Sequence, residues 1–129
     1  MKIFSAAQIK NGDLFTIKNE PIASVHLMEK AAMACTDFIH HKYLKTQNIL
    51  IFCGNGNNGG DGLAMARLLY QKGFDVDVFI DKSKKDFSKD AEINHHRLKE
   101  FLGIRILDFT DFNESLINED SIIIDAMFG

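Results

Sequence analysis

The spacing of apolar positions changes near Asn48, and that change divides the chain in two. Before it the pattern is helical. Ser5 stands where an N-cap belongs, and Ile9, Leu14 and Ile17 follow as the apolar positions of a first helix. Pro21 separates that helix from a second, which runs to about Leu44. Val25, Met28, Ala32, Cys35 and Ile39 recur at three- and four-residue intervals and form one apolar stripe. After Asn48 the run Ile-Leu-Ile-Phe-Cys53 is continuously apolar, as a strand covered on both faces should be. Helical spacing returns from Asp61 to Lys72 through Leu63, Ala66, Leu69 and Tyr70, and Gly73 stands where a C′ glycine would end it. Asp75 to Ile80 reads as a second strand, and Ser88 to Leu102 as a third helical pattern stopped by Gly103. A short strand over Ile104 to Leu107, a brief helix around Leu116 and a strand over Ser121 to Asp125 complete the series.

From Asn48 onward, strands alternate with helices. That order predicts an α/β fold with a mainly parallel sheet and helices on both faces. Residues 1–47 are expected to form an N-terminal helical extension packed on the Rossmann-like portion, residues 48–129, within a single domain. A doubly wound sheet ordered 3-2-1-4 would set the strand ending at Cys53 beside the strand ending at Asp125. The winding reverses between those two strands, and the crevice at their carboxyl ends is where such sheets bind ligands.

Composition narrows the function classes. With 46% apolar residues the 129-residue chain has the means to build a core, and its net charge of −3 carries no basic stripe. Nucleic acid is therefore not an expected partner. No apolar run approaches membrane-spanning length and no leader pattern opens the chain, so a cytoplasmic protein with no membrane partner is expected. Cys35 and Cys53 have neither disulfide-framework nor zinc spacing. The adjacent pairs His40-His41 and His95-His96 lack the i,i+4 geometry of a helical metal site and read as surface residues. Phe79, Phe87, Phe101, Phe109 and Phe112 follow element spacing and are expected in the core. The lysines from Lys82 to Lys85 read as a solvated loop within reach of a cofactor phosphate.

The candidate chemistry lies in residues 54–62, GNGNNGGDG. Glycines between a buried strand and a helix start permit positive φ and let backbone amides approach a ligand. Gly54, Gly56 and Gly59 satisfy the dinucleotide-binding spacing, and Asp77 and Asp81 fall roughly where a ribose-binding acid would follow. Against a pyrophosphate stands Asp61, whose carboxylate would repel it from the same amides. Asn57, Asn58 and Asp61 are hard oxygen donors, suited to hydroxyls, amides or a cation. Asp61 reads equally as a helix cap, and Asp125, facing this loop across the predicted crevice, reads as a ligand or as a turn former.

The run CGNGNNGGDGLAMARLL, residues 53–69, closely resembles the N-terminal YjeF-type domain of the NAD(P)H-hydrate epimerase family. SAAQIKNGD, VHLMEKAA (which contains Glu29) and the terminal IIIDAMFG resemble further family segments, in the family's order. The resemblance implies a Rossmann-like three-layer αβα sandwich. It implies an isomerase that interconverts the R and S forms of NADH or NADPH hydrated at C6 (NAD(P)HX), in repair of nicotinamide cofactors. Carried over by position, Asn57, Asn58, Gly59, Gly60 and Asp61 contact the hydrated cofactor, and Gly129 opens a second contacting loop. Asn58 and Asp125 are the implied potassium ligands. The family's domains continue beyond this stretch, so the chain resembles an N-terminal part whose catalytic aspartate and further potassium ligand lie downstream. Its last strand or that strand's neighbour is then expected as an uncovered edge. A fused or separate ADP- or ATP-dependent dehydratase and a homodimer are the implied partners. The alternative is a non-catalytic ligand- or protein-binding module on the same fold.

Overall fold

The computed structural model describes residues 1–6, 24–84 and 86–127. The apolar-rich runs become its central strands: β2 over Ile49–Cys53, β3 over Val76–Ile80 and β5 over Ile122–Ala126. β1 (Lys2–Ser5) and β4 (Arg105–Asp108) are shorter and lie at the edges. All pairings are parallel, in the order β1-β5-β2-β3-β4. Helices α1 (Ser24–Lys42), α2 (Asn57–Gln71) and α3 (Lys89–Lys99) complete the α/β architecture of the described residues. From β2 onward the strand order is the doubly wound one expected from the sequence, with the reversal between β2 and β5.

Side chains alternate across the sheet, so Ile49, Ile51 and Cys53 share one face while Leu50 and Phe52 share the other. The helices lie side by side over the first face, with α2 in the middle against both α1 and α3. The apolar stripe of α1 is buried there through Met28, Ala32, Cys35 and Ile39. Glu29, on the same helix, ties the layer together. One of its oxygens accepts from Arg67 of α2 at 2.6 Å, and its other lies 3.7 Å from Arg97 of α3. Gly73 ends α2 with φ 101°, a conformation that favours glycine.

Leu50 and Phe79 are buried on the opposite face. Phe52 stacks on Phe79 at 4.9 Å between ring centroids, and Phe112 meets both rings edge-on. Phe112 lies between two short 3-10 turns, Phe109–Asp111 and Glu114–Leu116, which stand where the sequence predicts a brief helix. Phe87, partly buried, packs against the core at its margin. It stacks on His95 of α3 at 4.9 Å, beside an open cleft.

The N-terminus differs from the sequence expectation. Ser5 ends β1, whose residues Lys2 to Ser5 pair with Ile122 to Asp125, and helix follows at once with Ala6. Residues 1–47 are thus not wholly a helical extension. The rest of the first predicted helix, with Ile9, Leu14, Ile17 and Pro21, lies outside the described residues. The physical reason is that an apolar β5 without a second neighbour would present unpaired ladder groups. β1 satisfies them, and the edge passes to β1 itself.

Candidate functional site

The glycine-rich segment is a shorter loop than its sequence predicts. α2 begins at Asn57, and its N-cap is Gly56, with no side-chain cap. Gly60 N–H is the first to reach a carbonyl four residues back, that of Gly56 at 3.0 Å. The first-turn amides ahead of it have no acceptor within the helix and form its electropositive end. Asp61 sits one turn further in and is 3% exposed, so it is not the N-cap.

Close packing accounts for most of the glycines. Between residues 54 and 62 no φ is positive. A Cβ on Gly59 would lie 1.8 Å from the Gly54 carbonyl oxygen, and one on Gly62 would lie 2.6 Å from Ala126 Cβ. Gly60 faces Met28 and the Ala91 backbone. These three positions press the start of α2 against β2, β5 and its flanking helices. Only Gly56 faces open space, with nothing within 4 Å of a Cβ placed there. Gly59 and Gly60, expected at the cofactor, are buried and present only backbone.

The neighbouring strand ends hold this turn from two sides. Toward β3, Ser88 donates its hydroxyl to Asn57 Oδ1 at 2.7 Å while its Oγ accepts from Ala91 N, capping α3. Asn55 Nδ2 donates to the carbonyl and carboxylate oxygens of Asp86, both at 3.2 Å. Toward β5, Gly54 N–H donates to Ala126 O at 3.1 Å, and the Gly54 Cα faces the Met127 carbonyl. Asp125 stands in register between Phe52 and Ser5, and its Oδ1 accepts from Met127 N at 3.0 Å. It is therefore a turn former through one oxygen. The start of α2, with Asn57 and Asn58, and the end of β5, with Asp125, thus adjoin at the reversal of the sheet. Gly129 lies outside the described residues.

Two acids expected near a ribose are committed elsewhere. Asp77 is 5% exposed and takes a two-pronged bond from Arg105 on the adjacent strand, at 2.7 and 2.5 Å. That bond holds the Arg105 guanidinium above its ordinary pKa. Asp81 accepts from the amide and hydroxyl of Ser83 in its own turn. Burial pushes the Cys53 thiol far above its usual range, so it is an inert core residue. Among the described residues no three His, Cys, Asp or Glu side chains group as a metal site. A cation at the reversal would instead draw on amide, backbone and Asp125 oxygens, a donor set suited to a hard ion.

Sequence reasoning missed Ser88 and the Asn55–Asp86 clamp. Ser88 was visible only as the start of a helical pattern; its bond to Asn57 depends on the two loops meeting in space.

Over its whole length the chain is 34% identical to a protein of Leuconostoc citreum named NAD(P)H-hydrate epimerase, covering 55% of that protein. A Dictyostelium discoideum protein of the same name is 37% identical over 80% of the chain, which covers 43% of its length. The chain thus spans about half the length of the curated relatives it matches. The crystal structure of yeast ynu0 superposes on the whole chain with a TM-score of 0.70 and 25% identity, the chain covering 57% of it. Residues 24–129 match the family described as YjeF-related protein N-terminus, and the chain belongs to that family.

Proposed function

We propose that this chain carries part of the site of an NAD(P)H-hydrate epimerase. One observation carries the reading: the asparagine-rich helix start and the Asp125 loop are bonded together, Gly54 to Ala126, at the reversal of the sheet. Relatives of that name share this segment of the chain.

In the proposed site Asn57 and Asn58 contact the hydrated cofactor through side-chain amides, and Gly59 and Gly60 through backbone. Asp61 lies behind them, and Gly129 is a further contact to the hydrated cofactor. Asn58 and Asp125 hold a potassium ion. Bound there, potassium would supply a fixed positive charge between the Asn58 and Asp125 oxygens. The reacting carbon, C6, bears a hydroxyl and is bonded to a ring nitrogen. The nitrogen lone pair expels the hydroxyl, which takes a proton and leaves as water, and a cationic iminium remains. Water returns to either face and gives up a proton, which inverts or restores the centre. Negative charge from Asp61 and Asp125 stabilises that cation in a partly desolvated site.

The test is conversion of the R form of NADH hydrate to the S form by the natural-length polypeptide, followed by chromatography with and without potassium. Asp125→Asn is expected to raise the potassium needed for half-maximal rate at least about tenfold. Solvent ¹⁸O should enter the C6 hydroxyl as the epimers exchange; its absence over many turnovers would rule out loss and return of water. A folded protein with no epimerisation in potassium would overturn the enzyme reading in favour of a binding module.

A further inference from the structure

A second cleft opens beside the glycine-rich turn, at the carboxyl ends of β3 and β4. Its volume is 480 Å³, within the range that holds nucleotide-sized ligands. Its floor is apolar, built from Ile80, Phe87 and Ile106. Its rim carries Lys82, Lys84 and Lys99 with the neighbouring His95 and His96, against the single carboxylate of Glu92. With neutral histidines the lining bears a net +2, in a chain whose total is −3. Clefts of one sign focus potential and gather counter-charged ligands. His95 feels that field: burial first, then Lys99, His96 and Lys82, hold its imidazole below the ordinary value against the opposing pull of Glu92.

Three further observations select a ligand. The cleft runs toward the glycine-rich turn. Ile80, Lys84 and Phe87 also line a smaller pocket formed by Gly54 and Asn55. Phe87 and His95, stacked on one another with an angle of 23° between rings, bring an aromatic pair into the cleft lining, beside which a planar base packs. Finally, of the acids that would receive a free ribose 2′-hydroxyl, Asp77 is occupied on both oxygens by Arg105, and Asp81 is held in its own turn through Oδ1 by Ser83. In dinucleotide-binding sheets a carboxylate at this strand end takes the unphosphorylated ribose, and a cation takes a 2′-phosphate.

We infer that the Lys82–Lys84–Lys99 cleft receives the 2′-phosphate of the adenosine end of the substrate, so that the site prefers the hydrate of NADPH over that of NADH. The inference rests on the epimerase reading for the identity of the substrate. The recognition chemistry itself, a 2′-phosphorylated adenosine, is tested apart from the reaction.

Titration calorimetry with the full polypeptide would compare 2′,5′-ADP, 5′-AMP and inorganic phosphate. The expected result is binding of 2′,5′-ADP at least about tenfold tighter than 5′-AMP, with phosphate alone weaker still. Lys84→Gln and Lys99→Gln, both at exposed positions, should each reduce that preference, and Glu92→Gln should increase it. Equal binding of 2′,5′-ADP and 5′-AMP would overturn the inference. So would phosphate binding as tightly as 2′,5′-ADP, which would mark a general anion site. If the preference holds but epimerisation is absent, the reaction reading fails and this one stands. If epimerisation is present and the two nucleotides bind alike, only this inference fails.

Discussion

A single methyl group distinguishes two kinds of glycine in GNGNNGGDG. Gly59→Ala places a Cβ against the Gly54 carbonyl, where neither backbone has room to yield. It is expected to cost about 3 kcal/mol of stability, measured by urea denaturation. Gly56→Ala meets nothing and keeps an allowed φ of −88°, so its cost should stay below about 1 kcal/mol, chiefly the lost N-cap preference. Equal effects of the two substitutions would refute the packing account. The sequence shows where these glycines are but not which kind each is. Strand-to-helix placement was legible because the apolar run stops at Cys53. That α2 starts as early as Asn57 was not legible, because Asn and Gly are poor helix formers and packing overrides their propensity. Asp61 reads as a cap in sequence for the same reason.

At the scale of elements, the helix layer depends on one carboxylate. Glu29 joins α1 to Arg67 of α2 and approaches Arg97 of α3, and Arg67 has a side chain only 12% exposed. Glu29→Ala strands that guanidinium and is expected to cost about 3 kcal/mol. Replacing both partners, Glu29→Leu with Arg67→Met, should recover most of the loss, because an apolar pair carries no desolvation penalty. A double-mutant cycle in urea measures the coupling; a value near zero would show that the pair is incidental. Glu29 alone in the sequence is a helix-face acid of either fate. Its partners are separated from it by whole elements, which is why its role appears only in the fold. β2 was legible as an unbroken apolar run of five residues, and β3 and β5 as apolar runs each interrupted by one aspartate, Asp77 and Asp125. β1 was not, since four residues with two exposed positions carry no readable period.

For the whole molecule, the basic cleft links stability to pH. The imidazole of His95 is held below its ordinary value of 6.5 by burial, Lys99, His96 and Lys82, with Glu92 opposing. In that window the unfolded chain binds the proton more readily than the folded one. The stabilisation is therefore complete above 6.5 and is lost as pH falls through that value toward the folded one. A His95→Phe variant keeps the stack on Phe87 and should show a flatter midpoint of thermal unfolding below pH 6.5 than the parent. Identical slopes would show that His95 does not carry the effect.

The pairing of β1 with β5 has a consequence in time. During synthesis β1 finds its partner only when Ile122 to Asp125 have emerged. Until then the sheet can grow outward from β2 through β3 to β4, while Lys2 to Ser5 wait for the chain to come back to them. β1 is thus secured later than the three strands that follow it in sequence.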